Sequence, residues 1–278
     1  MDIFILYYIA AGAFAGFLAG LFGIGGGMVI VSALIYIFSA QGVPDEALTH
    51  VAVGTSLATI IVTSISSLRA HNSHGAVNWS VWKRMAPGLV VGSLLGAGVA
   101  SLIQGNALQA VIGVGAFLVG LKMLFMKNKA LEENDFSKLP SAIGQTALGG
   151  FIGVISAIFG IGGGTLTVPF LSKFGLKIQH AVGTSAACGL PIAVAGAIGF
   201  MLFGQFVDNS VKETLPTGVF GFVHLYAFIC VSCASFITAR FGAKAAHKLP
   251  AATLKKAFAV LLLIVGIQLV WDAGILTF

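Results

Sequence analysis

The string Phe22-Gly23-Ile24-Gly25-Gly26-Gly27 lies inside an apolar run, Ile3 to Phe38, that carries no charge after Asp2. Four glycines in the last five positions cannot be a comfortable helix interior, because each costs about 1 kcal/mol there relative to Ala. Apolar flanks on both sides exclude an ordinary surface loop. The same hexapeptide returns as Phe159-Gly160-Ile161-Gly162-Gly163-Gly164, 137 residues later (159 − 22). Two copies of so unusual a string point to a duplicated membrane chain with one broken helix in each half.

The rest of the sequence fits hydrocarbon. Only 9% of the 278 residues are charged, against about 25% in soluble domains. The net charge of +6 comes from basic residues in short gaps between apolar runs, which is the arrangement of cytoplasmic membrane loops and not of a nucleic-acid surface. Runs of spanning length fall at 3–22, 48–68, 85–103 and 107–126, then at 142–159, 180–204, 219–239 and 252–271. Two shorter pieces, 28–39 and 165–174, follow the glycine strings. The expected fold is an all-α integral membrane protein of two inverted repeats, each a glycine-broken hairpin plus three spanning helices, with 8–10 membrane segments in all. Residues 1–126 form the first repeat, 127–140 a hydrophilic cytoplasmic linker, and 141–278 the second repeat.

Charge sets the expected orientation. If each glycine string closes a hairpin, 14 of the 15 Lys and Arg residues face the cytoplasm and both termini lie outside. Asp2, Asp45, Glu46, Asp208 and Glu213 then share the outer side. The duplication extends to Ala52-Val53-Gly54-Thr55-Ser56 and Ala181-Val182-Gly183-Thr184-Ser185, and to Gly75-Ala76-Val77 and Gly221-Phe222-Val223.

Irregular backbone survives at membrane depth only where it lines a cavity or is buried in protein. A glycine string that leads into a helix start presents free N–H groups and the positive end of a helix, which suits an anion. The candidate substrate-binding residues are therefore Gly25, Gly26, Gly27, Gly162, Gly163, Gly164 and Thr165, with the paired hydroxyls Thr55, Ser56, Thr184 and Ser185. Gly26 and Gly163 are the positions where a β-branched side chain should block backbone access and positive φ. Thr167 follows the second string as well, whereas Met28 and Val29 follow the first. The Thr-Ser pairs have a competing reading, in which they bond their own preceding carbonyls. Arg69 is the best-placed cation for substrate entry and equally a positive-inside anchor.

Other features read as structure. Gly12, Gly16 and Gly20, like Gly88, Gly92 and Gly96, recur every four residues and let helices approach closely. His50 and His180 flank the Thr-Ser spans near opposite faces and read as structural. Cys230 and Cys233 have the spacing of a thiol pair but lie within a span, where small polarizable side chains pack, while Cys188 could line the cavity. No carboxylate or cation lies deep in any expected span, which disfavours a carboxylate proton relay. No metal cluster, cofactor motif or nucleophile elbow is visible, so no enzyme activity is expected.

Taken together, the two FGIGGG strings, the duplicated Ala-Val-Gly-Thr-Ser, Gly75-Ala-Val-Asn-Trp79, Gly199-Phe-Met-Leu-Phe-Gly204 and the segment Arg240 to Leu254 carry a resemblance. In them the chain resembles the sulfite exporter TauE/SafE family of bacterial membrane carriers. The resemblance implies export of sulfite, sulfoacetate or related small sulfur-containing anions across the bacterial plasma (inner) membrane. Its implied partners are that anion and the lipid bilayer, with no nucleic acid and room for a homo-oligomer. The alternatives are uptake of thiosulfate or another sulfur compound, a membrane-embedded enzyme, or an assembly partner.

Overall fold

In hydrocarbon a lone apolar segment can satisfy its own backbone only as an α-helix. The computed structural model, which describes residues 2–22, 26–125, 139–246 and 251–274, follows that rule. The first half contains α1 (Asp2–Phe22), α2 (Gly27–Ala40), α3 (Asp45–Ser73), α4 (Trp79–Leu102) and α5 (Gly105–Phe125). The second contains α6 (Ala142–Phe159), α7 (Gly164–Lys173), α8 (Ile178–Phe203), the short α9 (Asn209–Thr214), α10 (Leu225–Ala246) and α11 (Ala251–Asp272). Seven of the described helices, α1, α3, α4, α5, α6, α8 and α10, are long and apolar enough to cross a membrane. The pieces after the glycine strings, α2 and α7, have 14 and 10 residues and are too short to do so. Of the expected linker, 127–138 lies outside the described residues.

The run expected to span from 219 begins later. Val219–Phe220 and Val223–His224 pair as a small antiparallel hairpin, and only then does α10 start. The end of the turn and the second strand are inserted into protein, which accounts for their apolar character. Phe222 and Val223 are buried, and the Phe222 N–H donates to the Phe200 carbonyl at 3.1 Å. Among the described residues, which are otherwise helical or in turns, there is thus one two-stranded element.

Small residues decide which helices meet. Gly88, Gly92 and Gly96 of α4 lie on the α6 backbone at Thr146, Gly150 and Val154, so close that an added Cβ would strike main-chain atoms. Gly12 and Gly16 of α1 rest in the same way on Val231 and Ser235 of α10. Their counterparts in the other half, Gly149 and Gly153, rest on Met85 and Leu89. In α5 and α11 the contact is reciprocal, Gly113 and Gly266 each facing the other's carbonyl. Helices of the first half therefore pair with helices of the second, in contacts that come as symmetric sets.

At the centre α3 packs against α8. Val51, Val53 and Leu57 of one and Ile192, Ala193 and Phe200 of the other are fully or almost fully buried. The periphery is the reverse: Leu102, Ile143 and Phe125 are 87%, 83% and 77% exposed, a surface that only lipid can cover at low cost.

Candidate functional site

The two glycine strings meet. Gly26 adopts φ 64° and turns the chain into α2, and Gly160 adopts φ 64° and ends α6, both left-handed conformations that favour glycine. A Cβ on Gly27 would lie 2.6 Å from the Gly160 carbonyl oxygen and 3.0 Å from the Ile161 Cα. The first turn of α2 and the first turn of α7 line one small cleft, formed by Gly26, Gly27, Met28, Ile161, Thr165 and, from α11, Phe258. The cleft has room for about one water molecule. In each of these turns the leading N–H groups have no carbonyl one turn back to bond, because the helix has only begun. The starts of two helices, each the positive end of its helix, thus border the same cleft.

The backbone at Gly163 differs from expectation. Its φ is −42°, an ordinary right-handed value, so space and not handedness restricts it. A Cβ there would lie 2.7 Å from the Ile192 Cδ1 and 2.9 Å from the Thr167 hydroxyl. Gly162 faces Ile60 in a similar manner at 3.0 Å. Gly164 is the first residue of α7. Gly25 lies outside the described residues.

The hydroxyl pairs divide by position. Ser56 of α3 donates to the carbonyls of Gly27 (3.2 Å) and Gly160 (3.0 Å), so one side chain joins both glycine strings. Its counterpart Ser185 is 1% exposed and its hydroxyl has no hydrogen-bond partner. The Thr167 hydroxyl, also fully buried, has none either. The threonines fasten loops. Thr55 Oγ1 accepts the backbone N–H of His224, and Thr184 Oγ1 accepts that of Asn78, each at 2.9 Å. Beside them Gly54 abuts the Phe222 carbonyl and Gly183 the Ala76 carbonyl, again as a matched pair. None of the four residues bonds its own preceding turn; that bond is made by Thr59 to the Thr55 carbonyl.

The remaining candidates are scattered. Arg69 is exposed on α3, 13 residues past Ser56 and hence roughly 20 Å along the helix. Nε2 of His50 lies 3.0 and 3.1 Å from the carbonyls of Ala100 and Ile103, and its ring stacks on Phe222, a structural role at the end of α4. His180 is half-buried near the start of α8. Cys188 is buried, Cys230 half-buried and Cys233 exposed, all as free thiols. No group of three or more His, Cys, Asp or Glu able to hold a metal occurs among the described residues. Sequence reasoning missed Ser64, whose hydroxyl abuts Gly189 beside the Gly163 N–H, and Phe258 at the cleft. Neither belongs to a repeated motif that could have signalled it.

Comparison with known proteins agrees with a carrier architecture. The family model described as "Sulfite exporter TauE/SafE" matches residues 8–269. A "Probable membrane transporter protein" of Haemophilus influenzae is 36% identical over 270 residues, covering 97% of this chain and 99% of that one. In Bacillus subtilis the "Probable membrane transporter protein YunE" is 28% identical over 95% of this chain and 96% of its own length. YdhB of the same organism, likewise named a probable membrane transporter protein, is 27% identical over 92% of this chain and 96% of its own. No solved structure matches. With a family match running almost end to end over a multi-spanning helical chain, this protein belongs to the TauE/SafE family of membrane transporters.

Proposed function

We propose that the protein exports small sulfur-containing anions such as sulfite or organosulfonates, and that the anion binds where the glycine strings meet. The observation that supports this reading is the convergence of the first turns of α2 and α7 on one cleft. The N–H groups of Gly26 and Gly27 and of Gly162, Gly163 and Gly164 replace lost hydration, and Thr165 and Ser185 add hydroxyl donors. Each helix start contributes about 0.3–1 kcal/mol toward an anion at an exposed site and up to ~2 kcal/mol when partly buried. Ser56 holds the two strings together, while Thr55 and Thr184 hold the loops that frame them. Arg69 acts at entry. A site without a fixed positive charge binds weakly enough to release its cargo, which a carrier requires.

The test is flux in proteoliposomes against sulfite, methanesulfonate, sulfoacetate, thiosulfate and chloride. The expected result is saturable movement of sulfite or a sulfonate, inhibited by the other. Movement of thiosulfate alone would favour the uptake reading, and no movement of any sulfur anion would overturn the proposal.

A further inference from the structure

At the end of α2 remote from the glycine strings, a cavity of about 330 Å³ is lined by Phe4, Tyr8, Gln41, Thr217, His224 and Tyr226, among others. None of its lining residues carries a formal charge. Tyr8 and Gln41 bond each other at 2.7–2.9 Å and tie the N-terminal part of α1 to the end of α2. The His224 ring stacks on Phe38 at 5.3 Å and lies 5.6 Å from Tyr8 and 6.0 Å from Tyr226.

His224 has a matched position in the other half, and the comparison isolates what the histidine adds. Its Nδ1 accepts the Ala227 N–H at 3.2 Å, capping α10, and its own N–H is held by Thr55. Asn78 does both jobs for the other half: its Oδ1 accepts the Val81 N–H at 3.1 Å, and its N–H is held by Thr184. Cap and anchor therefore need no imidazole. An imidazole that accepts at Nδ1 carries its hydrogen on Nε2 in the neutral form, so histidine adds a ring and one N–H donor at the cavity wall.

We propose that this cavity is a second binding site, for an organic anion such as an aryl or alkyl sulfonate or carboxylate. The oxyanion head takes the His224 Nε2–H with the Thr217 and Tyr226 hydroxyls, and the apolar body lies against Phe4 and the aromatic rings. The volume falls in the lower range of pockets that take small organic ligands and exceeds a bare sulfite ion several-fold. Binding here does not depend on the glycine-string reading; only its role as a staging site for the carried anion rests on it.

The test is equilibrium binding to the full-length protein in detergent, with benzenesulfonate as probe and uncharged benzenesulfonamide as control. His224→Asn keeps the cap acceptor, so its thermal midpoint should stay within a few degrees of wild type while benzenesulfonate affinity falls about tenfold or more. Thr217→Val, which removes no hydrogen bond seen in the structure, should lower affinity severalfold and serves if His224→Asn does not fold. Gly163→Val should leave this binding intact. Unchanged affinity in both cavity variants overturns the proposal, as does equal affinity for the sulfonamide, which would mean an apolar lodging only. Loss in Gly163→Val with retention in His224→Asn would assign the probe to the glycine strings and overturn the second site. Failure of sulfite flux in the wild type would leave the binding result standing.

Discussion

Ser56 and Ser185 sit at matching places in the duplicated Ala-Val-Gly-Thr-Ser, yet their hydroxyls face different situations. Ser56 serves the carbonyl of Gly160, which caps α6, and that of Gly27, in the first turn of α2. Removing it leaves the Gly160 carbonyl at the end of α6 short of a donor, at a cost of about 1–3 kcal/mol. Ser185 serves nothing in the protein, so Ser185→Ala removes a buried unpaired group and should leave stability unchanged or slightly higher. The expected pattern is thus crossed. Ser56→Ala lowers the thermal midpoint in detergent by several degrees, whereas Ser185→Ala leaves it unchanged and weakens sulfite binding about tenfold, one charge-assisted hydrogen bond. Equal sulfite affinity in wild type and Ser185→Ala would remove Ser185 from the site. The pairs were legible in the sequence as recurring hydroxyls. Their division of labour was not, because the donors to Thr184 and Thr55 lie 106 and 169 residues away along the chain.

Among the elements, the half-helices and most spans follow directly from unbroken apolar runs and from glycine strings that no helix interior tolerates. The boundary of α10 does not. Val219 to Val223 continues the apolar pattern of the following span, and hydropathy cannot separate a strand pair with one strand buried in protein from a helix buried in lipid. The glycine stripes at Gly12 and Gly16 and at Gly88, Gly92 and Gly96 are where helices cross, as four-residue spacing implies. The hairpin α1–α2 has its open ends joined by Tyr8 and Gln41, so it returns toward the face from which it enters. If α6–α7 returns in the same way, charge parity predicts both termini outside and the segment around 127–140 in the cytoplasm. Reporter fusions after Lys138 and after Phe278 check this. A cytoplasmic signal at Lys138 and an external one at Phe278 are expected, and a cytoplasmic C-terminus would remove the inverted relation between the halves.

For the whole molecule, the arrangement is two interlocked halves, α1 on α10, α6 on α4 and α5 on α11, around the buried pair α3 and α8. The glycine strings touch at their junction, and the cleft there is smaller than any oxyanion. If the anion binds there as proposed, loading requires the strings to part and Ser56 to release at least one of its two carbonyls. Packed interfaces of this kind move between discrete arrangements by sliding, not by stretching. On that proposal transport depends on backbone access at the strings more than on any charged side chain. Sulfite flux in proteoliposomes carrying Gly163→Val tests that claim most directly. The substitution meets the flexible end of Ile192 and the Thr167 hydroxyl, and the backbone there is right-handed, so the protein should still insert and fold. The account predicts flux at or near the background of empty liposomes with a thermal midpoint close to wild type; flux at the wild-type rate would contradict it and leave the glycine strings as packing alone.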